Sequence, residues 1–376
     1  MKNFRKIFGF CLAFFIVVRS LAIAYAVGNS VILLIGDGMG PGVIGLGKYY
    51  NDFVLGKPEL NIVKMMNSPD AKVSFVVTFS SSNLVTDSAA AATAIATGHK
   101  TYNTAIGVDA QGNPLRSVLE DARDSGMMTG LITTCEAVDA TPAGFSANVP
   151  ARANKSDIAA MQLDKKVNLI FGGGADYYLS LDKSQTKNYK IIRSSRELKN
   201  LAALRNKFIL GLFNEKEMNF KRSRTPDEPS LAEMTKAALD FLSKNSEGKG
   251  FFLMVEGGRI DHAAHANSIE DLIEDFLEFD ETVGVVLEYR QKNPDTTFVY
   301  LTADHDTGGV SMTQRSRDYS YPTIDDLKNL KGIYWTSKQH TSIPVIFVGL
   351  CPSRQSYGGF IDNTEIHEIL RSAIGK

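Results

Sequence analysis

Apolar residues in this chain fall into short runs set among longer mixed segments. Residues 31–35 are continuously apolar, and 73–79, 129–134, 168–171, 251–255, 298–302 and 344–348 are further apolar or β-branched runs of strand length. Runs of this kind suit strands buried on both faces, as in a parallel sheet. Between them, residues 115–125, 231–245 and 269–290 read as helices, the last of them long and acidic. Strands alternating with helices predict an α/β fold, with a doubly wound, mostly parallel central sheet flanked by helices. The segment 177–229 is polar and charged apart from a short apolar piece at 208–212, and it predicts a periphery without evident chemistry.

Several runs end in residues that bear chemistry. The first runs into Gly36-Asp37-Gly38-Met39-Gly40, a tight turn around one acid at a strand's carboxyl end, where open α/β sheets place ligands. The G-x-G-x-x-G spacing of a dinucleotide loop is not met. After the second run, Thr86 and Asp87 offer helix caps and an alanine run follows until Gly98, so Ser88 lies in a helix's first turn. Free N–H groups and the positive end of the dipole there suit a nucleophile or a phosphate, although Asp-Ser before alanines is also an ordinary capped helix. Asp139 and Thr141 are either a cap or a ligand pair. Asp261 and His265, four residues apart, share one face of a helical turn and can grip one metal ion. Asp304 and His305 end another strand, and His340 precedes the last one. The carboxyl edge of the sheet would gather Asp37, Ser88, Glu256, Asp261, His265, Asp304, His305 and His340. Mixed carboxylate and imidazole donors around a serine point to a binuclear zinc-type site.

Composition narrows the setting. With 376 residues, 44% of them hydrophobic, the chain can bury a large core. Residues 1–26 carry Lys2, Arg5 and Lys6, an apolar stretch and an Ala-x-Ala ending, and read as a removable export signal. As a membrane anchor its apolar stretch falls short of the ~20 residues a span needs. Removing it with its four basic residues takes the formal charge from −1 to −5, which argues against a nucleic-acid partner. The mature protein is expected to be exported, periplasmic or secreted, without a membrane span. Cys135 and Cys351 remain, and whether they pair is open.

Six ordered motifs carry a resemblance. The chain resembles the alkaline phosphatases in Ile35-Gly36-Asp37-Gly38-Met39-Gly40, in Thr86-Asp87-Ser88 with its alanine run, and in Asp139-Ala140-Thr141-Pro142-Ala143. It does so again in the stretch from Val255-Glu256-Gly257 through Asp261-His262-Ala263-Ala264-His265, in Thr302-Ala303-Asp304-His305, and in Gln339-His340-Thr341. The resemblance implies one domain over residues 27–376, with a short crown-like insertion near 309–338 and a possible homodimer. It implies that Asp261, His265 and His340 hold a first zinc, and that Asp37, Asp304 and His305 hold a second. Glu256 and Thr141, with Asp37 bridging, would hold a third ion, usually magnesium. Asp139 and His262 stand at two variable positions beside that ion, and the imidazole leaves zinc or cobalt open there. Arg152 corresponds to the family's phosphate-binding arginine.

On this reading Ser88 attacks the phosphorus of a phosphate monoester, Arg152 forks onto two phosphate oxygens, and a phosphoserine intermediate is hydrolysed. Broad specificity and activity rising into alkaline pH are expected. A sulfatase would show a Cys-x-Pro-x-Arg segment, which is missing. A phosphodiesterase would lack the Glu256 and Thr141 partners. An exported phosphate- or zinc-binding protein without turnover would explain the ligands but give Ser88 no role.

Overall fold

In a computed structural model, the structure of the protein is described for residues 28–204, 207–314, 321–352 and 357–376. The expected export signal, residues 1–26, lies outside these residues. The apolar runs become strands β1 (Ser30–Gly36), β2 (Ala71–Val77), β3 (Met128–Glu136), β4 (Leu169–Gly173), β5 (Lys190–Ile192), β6 (Ile209–Leu212), β7 (Phe251–Gly257) and β8 (Thr297–Thr302). They are followed by the short β9 (Asp306–Thr307), β10 (Ser311–Met312), β11 (Ile333–Tyr334) and β12 (His340–Thr341), then β13 (Val345–Leu350) and β14 (Gly359–Asp362). Ten of them form one sheet in the order β14-β2-β13-β8-β1-β7-β3-β4-β6-β5. At its centre β1 pairs in parallel with both β7 and β8, and every residue of these three strands is buried.

One strand runs against the rest. β13 is antiparallel to both β8 and β2. This reversal places the start of β13, rather than its end, at the carboxyl edge of the sheet. His340, which precedes β13, therefore reaches the same edge as residues that follow β1, β7 and β8. The sheet also takes two strands from the segment 177–229, which the sequence pattern left as periphery: β5 and β6 extend it beyond β4.

The alanine run forms helix α1 (Ser88–Thr97), capped by the Asp87 side chain and closed by Gly98 at φ 74°. All ten residues of α1 are buried, which is why its side chains must be small. It packs against α2 (Ala140–Ser146), where a Cβ on Gly144 would lie 2.7 Å from that of Ala92. Helix α3 (Arg259–Ala266) follows β7 directly, and α4 (Ile269–Lys292) is the long acidic helix. Among the described residues of the expected crown, β10 pairs with β11 and a short helix spans Ile324–Lys328. No helix among the described residues is long and apolar enough to cross a membrane.

Loop 219–228 is tied down on α4. The Lys221 amide donates to Asp275, and Arg224 Nη1 donates to Glu278 at 2.5 Å. Burial, with the Glu278 charge second, pushes the Asp275 carboxyl from 3.8 up to about 7. The folded chain thus holds a proton that the unfolded chain releases at lower pH. The stabilisation is complete below pH 4 and is lost as pH rises through 7.

Two stability measurements follow. Gly144→Ala must push α1 and α2 apart and should destabilise the chain by about 1–3 kcal/mol; an unchanged urea midpoint would show that the two helices can slide. Asp275→Asn should flatten the decline in unfolding free energy between pH 4 and 7, and an unaltered slope would mean that another group carries the proton.

Candidate active site

The turn after β1 delivers Asp37 to the sheet's carboxyl edge. Gly38 sits at φ 68°, and a Cβ there would come within 2.9 Å of both Asp261 Oδ1 and Thr307 Oγ1, so only glycine fits. The Gly38 amide donates to Asp304 Oδ1 at 3.1 Å, and the His305 amide donates to the same oxygen at 2.9 Å. Asp304 Oδ2 and Asp37 Oδ1 are left buried without any hydrogen-bond partner. Burial first, then the charges of Asp304, Asp261 and Glu256, hold the Asp37 carboxyl well above its ordinary range. Carboxylates crowded in this way are stable as anions only with cations among them.

The histidines show where such cations fit. His265 Nδ1 lies 2.5 Å from the Lys338 carbonyl, and His340 Nδ1 lies 2.9 Å from the Thr86 carbonyl. A carbonyl only accepts, so both rings carry hydrogen on Nδ1 and expose the Nε2 lone pair. Those two Nε2 atoms face one another at 3.1 Å. Two lone pairs repel at that distance, whereas two imidazole ligands on one tetrahedral zinc lie roughly 3.3 Å apart. Asp261 completes the group, with Oδ2 3.3 Å from His265 Nε2 and Oδ1 3.7 Å from His340 Nε2. Asp37, Asp304 and His305 make a second trio, and in each trio the donor atoms lie within 4.8 Å of one another. The rings of His305 and His340 stack at 3.6 Å, so the two trios adjoin. These residues fit metal ions.

Ser88 belongs to the second trio. Its Oγ, on a residue 3% exposed, is 3.1 Å from His305 Nε2, which also lies 3.1 Å from Asp304 Oδ2 and 3.7 Å from Asp37 Oδ1. Asp87 caps α1 through the Ala90 amide, and its other oxygen takes the Thr104 amide and faces Arg152 Nη1 at 3.5 Å. Arg152 Nη2 donates to Asp139 Oδ1 at 2.9 Å, so two carboxylates orient a guanidinium whose side chain stays one-third exposed. Asp139 is also the cap of α2, its Oδ1 accepting a hydrogen bond from the Ala140 amide.

Beyond Asp37 lies a third group. Glu256 is buried, accepts from Thr133 Oγ1 at 2.5 Å, and is pushed by burial up to about 8, while the Thr141 hydroxyl is buried without a hydrogen-bond partner. Cys135, Asp139 and His262 bring further donors within 4.8 Å of one another. The His262 ring, however, is held in the opposite sense to those of His265 and His340. Arg259 Nη1 donates to its Nδ1 at 2.5 Å, so the ring hydrogen sits on Nε2, 3.9 Å from Cys135 Sγ. Direct ligation by His262 Nε2 needs Arg259 to release the ring. Arg259 itself stacks over Phe220 at 3.8 Å. No disulfide joins Cys135 to Cys351 among the described residues.

All twelve residues picked from the sequence therefore lie along one edge. Thr133, Phe220, Arg259 and Thr307 were not picked, nor were the carbonyls of Thr86 and Lys338. Hydroxyl and carbonyl partners leave no sequence mark of their own. Thr86 and Arg259 lay inside motifs already in view, and Thr307, two residues past His305, and Lys338, just before Gln339, adjoined others.

The alkaline phosphatase family model matches residues 28–332. Alkaline phosphatase 4 of Bacillus subtilis (strain 168) is 38% identical over 303 residues, covering 76% of this chain and 62% of that protein. The repressible alkaline phosphatase of Saccharomyces cerevisiae is 35% identical over 328 residues, covering 78% of this chain and 57% of the other. The chain thus spans about three fifths of the length of these curated relatives. The solved structure of alkaline phosphatase from the Antarctic bacterium TAB5 superposes with a TM-score of 0.80 at 27% identity, covering 92% of this chain and 98% of that one. A match that starts before the first strand and takes in all but one of the residues gathered at the carboxyl edge shows that this chain belongs to the alkaline phosphatase family.

Proposed function

We propose that the chain hydrolyses phosphate monoesters through a phosphoserine on Ser88, with broad specificity for the alcohol. The observation that carries the reading is Ser88 Oγ at 3.1 Å from His305 Nε2, inside the trio with Asp37 and Asp304. A phosphate- or zinc-binding protein has no use for a hydroxyl in that place.

Asp261, His265 and His340 would hold one zinc, and Asp37, Asp304 and His305 a second. Glu256, Thr141 and Asp37 would hold a third ion, magnesium by family precedent, with zinc or cobalt open because Asp139 and His262 stand beside it. A mutant of the TAB5 enzyme has been solved with Mg bound. Such cations would lower the pKa of the Ser88 hydroxyl and offset charge on the leaving oxygen.

The rest falls to the chain. Ser88 Oγ gives up its proton to solvent and bonds to phosphorus as the phosphorus–alkoxy bond breaks, and the departing alkoxide takes a proton from solvent and leaves as the alcohol. Water, losing a proton, supplies the hydroxide that attacks phosphorus; the Ser88 Oγ–phosphorus bond breaks, Ser88 Oγ regains a proton, and inorganic phosphate leaves. The first turn of α1 presents backbone N–H groups to the phosphate. Arg152, aimed by Asp87 and Asp139, forks onto two of its oxygens, which a lysine cannot do. The reading includes one catalytic domain and export of the mature chain, supported by the basic and apolar pattern of residues 1–26.

Ser88→Ala should lower p-nitrophenyl phosphate turnover by on the order of 10³-fold or more, with two tightly bound zinc ions retained. Acid quench of wild type with radiolabelled substrate should trap label on Ser88; metal uptake with no serine-dependent turnover would establish the binding protein instead. Arg152→Lys should reduce kcat/KM by about 10- to 100-fold with the metal content unchanged, and an unaltered value would remove the guanidinium from phosphate binding.

A further inference from the structure

We propose that Thr307 is a positioning residue that couples the two candidate cation clusters through its single hydroxyl. The inference rests on the metal-centre reading above and goes beyond it, since Thr307 belongs to neither trio.

Thr307 is fully buried, and its Oγ1 has two partners: Asp261 Oδ1 at 2.5 Å and His305 Nδ1 at 3.2 Å. A hydroxyl has one hydrogen. An ionised carboxylate cannot donate, so the hydrogen points to Asp261, and Thr307 Oγ1 must then accept from His305 Nδ1–H. The bond therefore fixes the tautomer of His305 and turns its Nε2 lone pair toward Asp37, Asp304 and Ser88. At its other end the same bond orients Asp261, a member of the neighbouring trio. Such outer partners orient metal ligands and raise their basicity.

The backbone strengthens the link. Thr307 is the cross-strand partner of His340 in the β9–β12 pair, and its amide donates to the Gly38 carbonyl at 3.2 Å, next to Asp37. Gly38 leaves the space that the hydroxyl fills. One residue thus touches or adjoins Asp37, Asp261, His305 and His340. His265 and His340 take their tautomers from carbonyls, which no substitution removes; for His305 the partner is a side chain.

The test uses three full-length proteins: wild type, Thr307→Val, which keeps the shape and loses the hydroxyl, and Thr307→Ser, which keeps the hydroxyl. Each is stripped of metal and titrated with zinc against a chromophoric chelator, and its melting temperature is read with and without zinc. Wild type and the serine variant should bind two ions with similar affinity. The valine variant should lose about 10- to 100-fold in affinity at both clusters, and zinc should raise its melting temperature less. Wild-type affinity at both clusters in the valine variant, or a loss confined to one of them, overturns the coupling. If the metal-free valine variant does not fold, the serine variant decides the matter, because a purely steric role for Thr307 predicts that it too loses zinc. Failure of wild type to take up zinc would instead overturn the metal-centre reading on which the proposal stands.

Discussion

The structure depends on a charge problem at one edge of its sheet. Asp37, Asp304, Asp261 and Glu256 are each at most 6% exposed, and after burial itself the charges of the other three hold the Asp37 carboxyl above its ordinary range. Burying a carboxylate costs several kcal/mol unless it is paired, and among the described residues the ion pairs of the trio carboxylates are to histidines. Arg152 is taken up by Asp87 and Asp139. The unpartnered oxygens of Asp37 and Asp304, and the facing lone pairs of His265 and His340, are features that metal ions resolve together. The fold around them can be seen as the apparatus that keeps these groups from moving apart.

That apparatus is mostly backbone. Carbonyls of Thr86 and Lys338 set two histidine rings, and amides of Gly38 and His305 hold one oxygen of Asp304 so that the other points inward. Backbone partners are indifferent to substitution at their own positions, so the geometry survives considerable change in sequence. Similarity at 27% identity with a TM-score of 0.80 accords with a scaffold fixed in this way.

Much of this was legible in the chain itself, for reasons particular to each residue. Asp261 and His265 declared themselves because helical spacing is read directly from numbering, and Ser88 because a cap followed by alanines marks a helix start. The central strands were visible as unbroken apolar runs. His340 is different. Residues before a strand belong at the amino edge of a parallel sheet, and only the reversal of β13, a matter of topology that hydrophobic pattern does not encode, brings it to the site. The segment 177–229 was opaque for the opposite reason. Its strands β5 and β6 are only three and four residues long, and Phe220 acts on the site at one remove, by supporting Arg259.

The third group shows how little separates two chemistries on one scaffold. His262 lies three residues from Arg259 on α3, and its Nδ1 accepts where those of His265 and His340 donate. Turned this way, it offers a hydrogen rather than a lone pair. Burial, followed by the charge of Arg259, also lowers its proton affinity, so the ring stays neutral. What remains around Glu256 is oxygen: the Thr133 hydroxyl in contact with it, and the Asp37 carboxyl within reach of its charge. Oxygen donors suit a hard ion such as magnesium, whereas a freed imidazole beside the Cys135 thiol would favour a softer one. Arg259, held flat on Phe220, is the residue that fixes which nitrogen of the His262 ring carries the hydrogen.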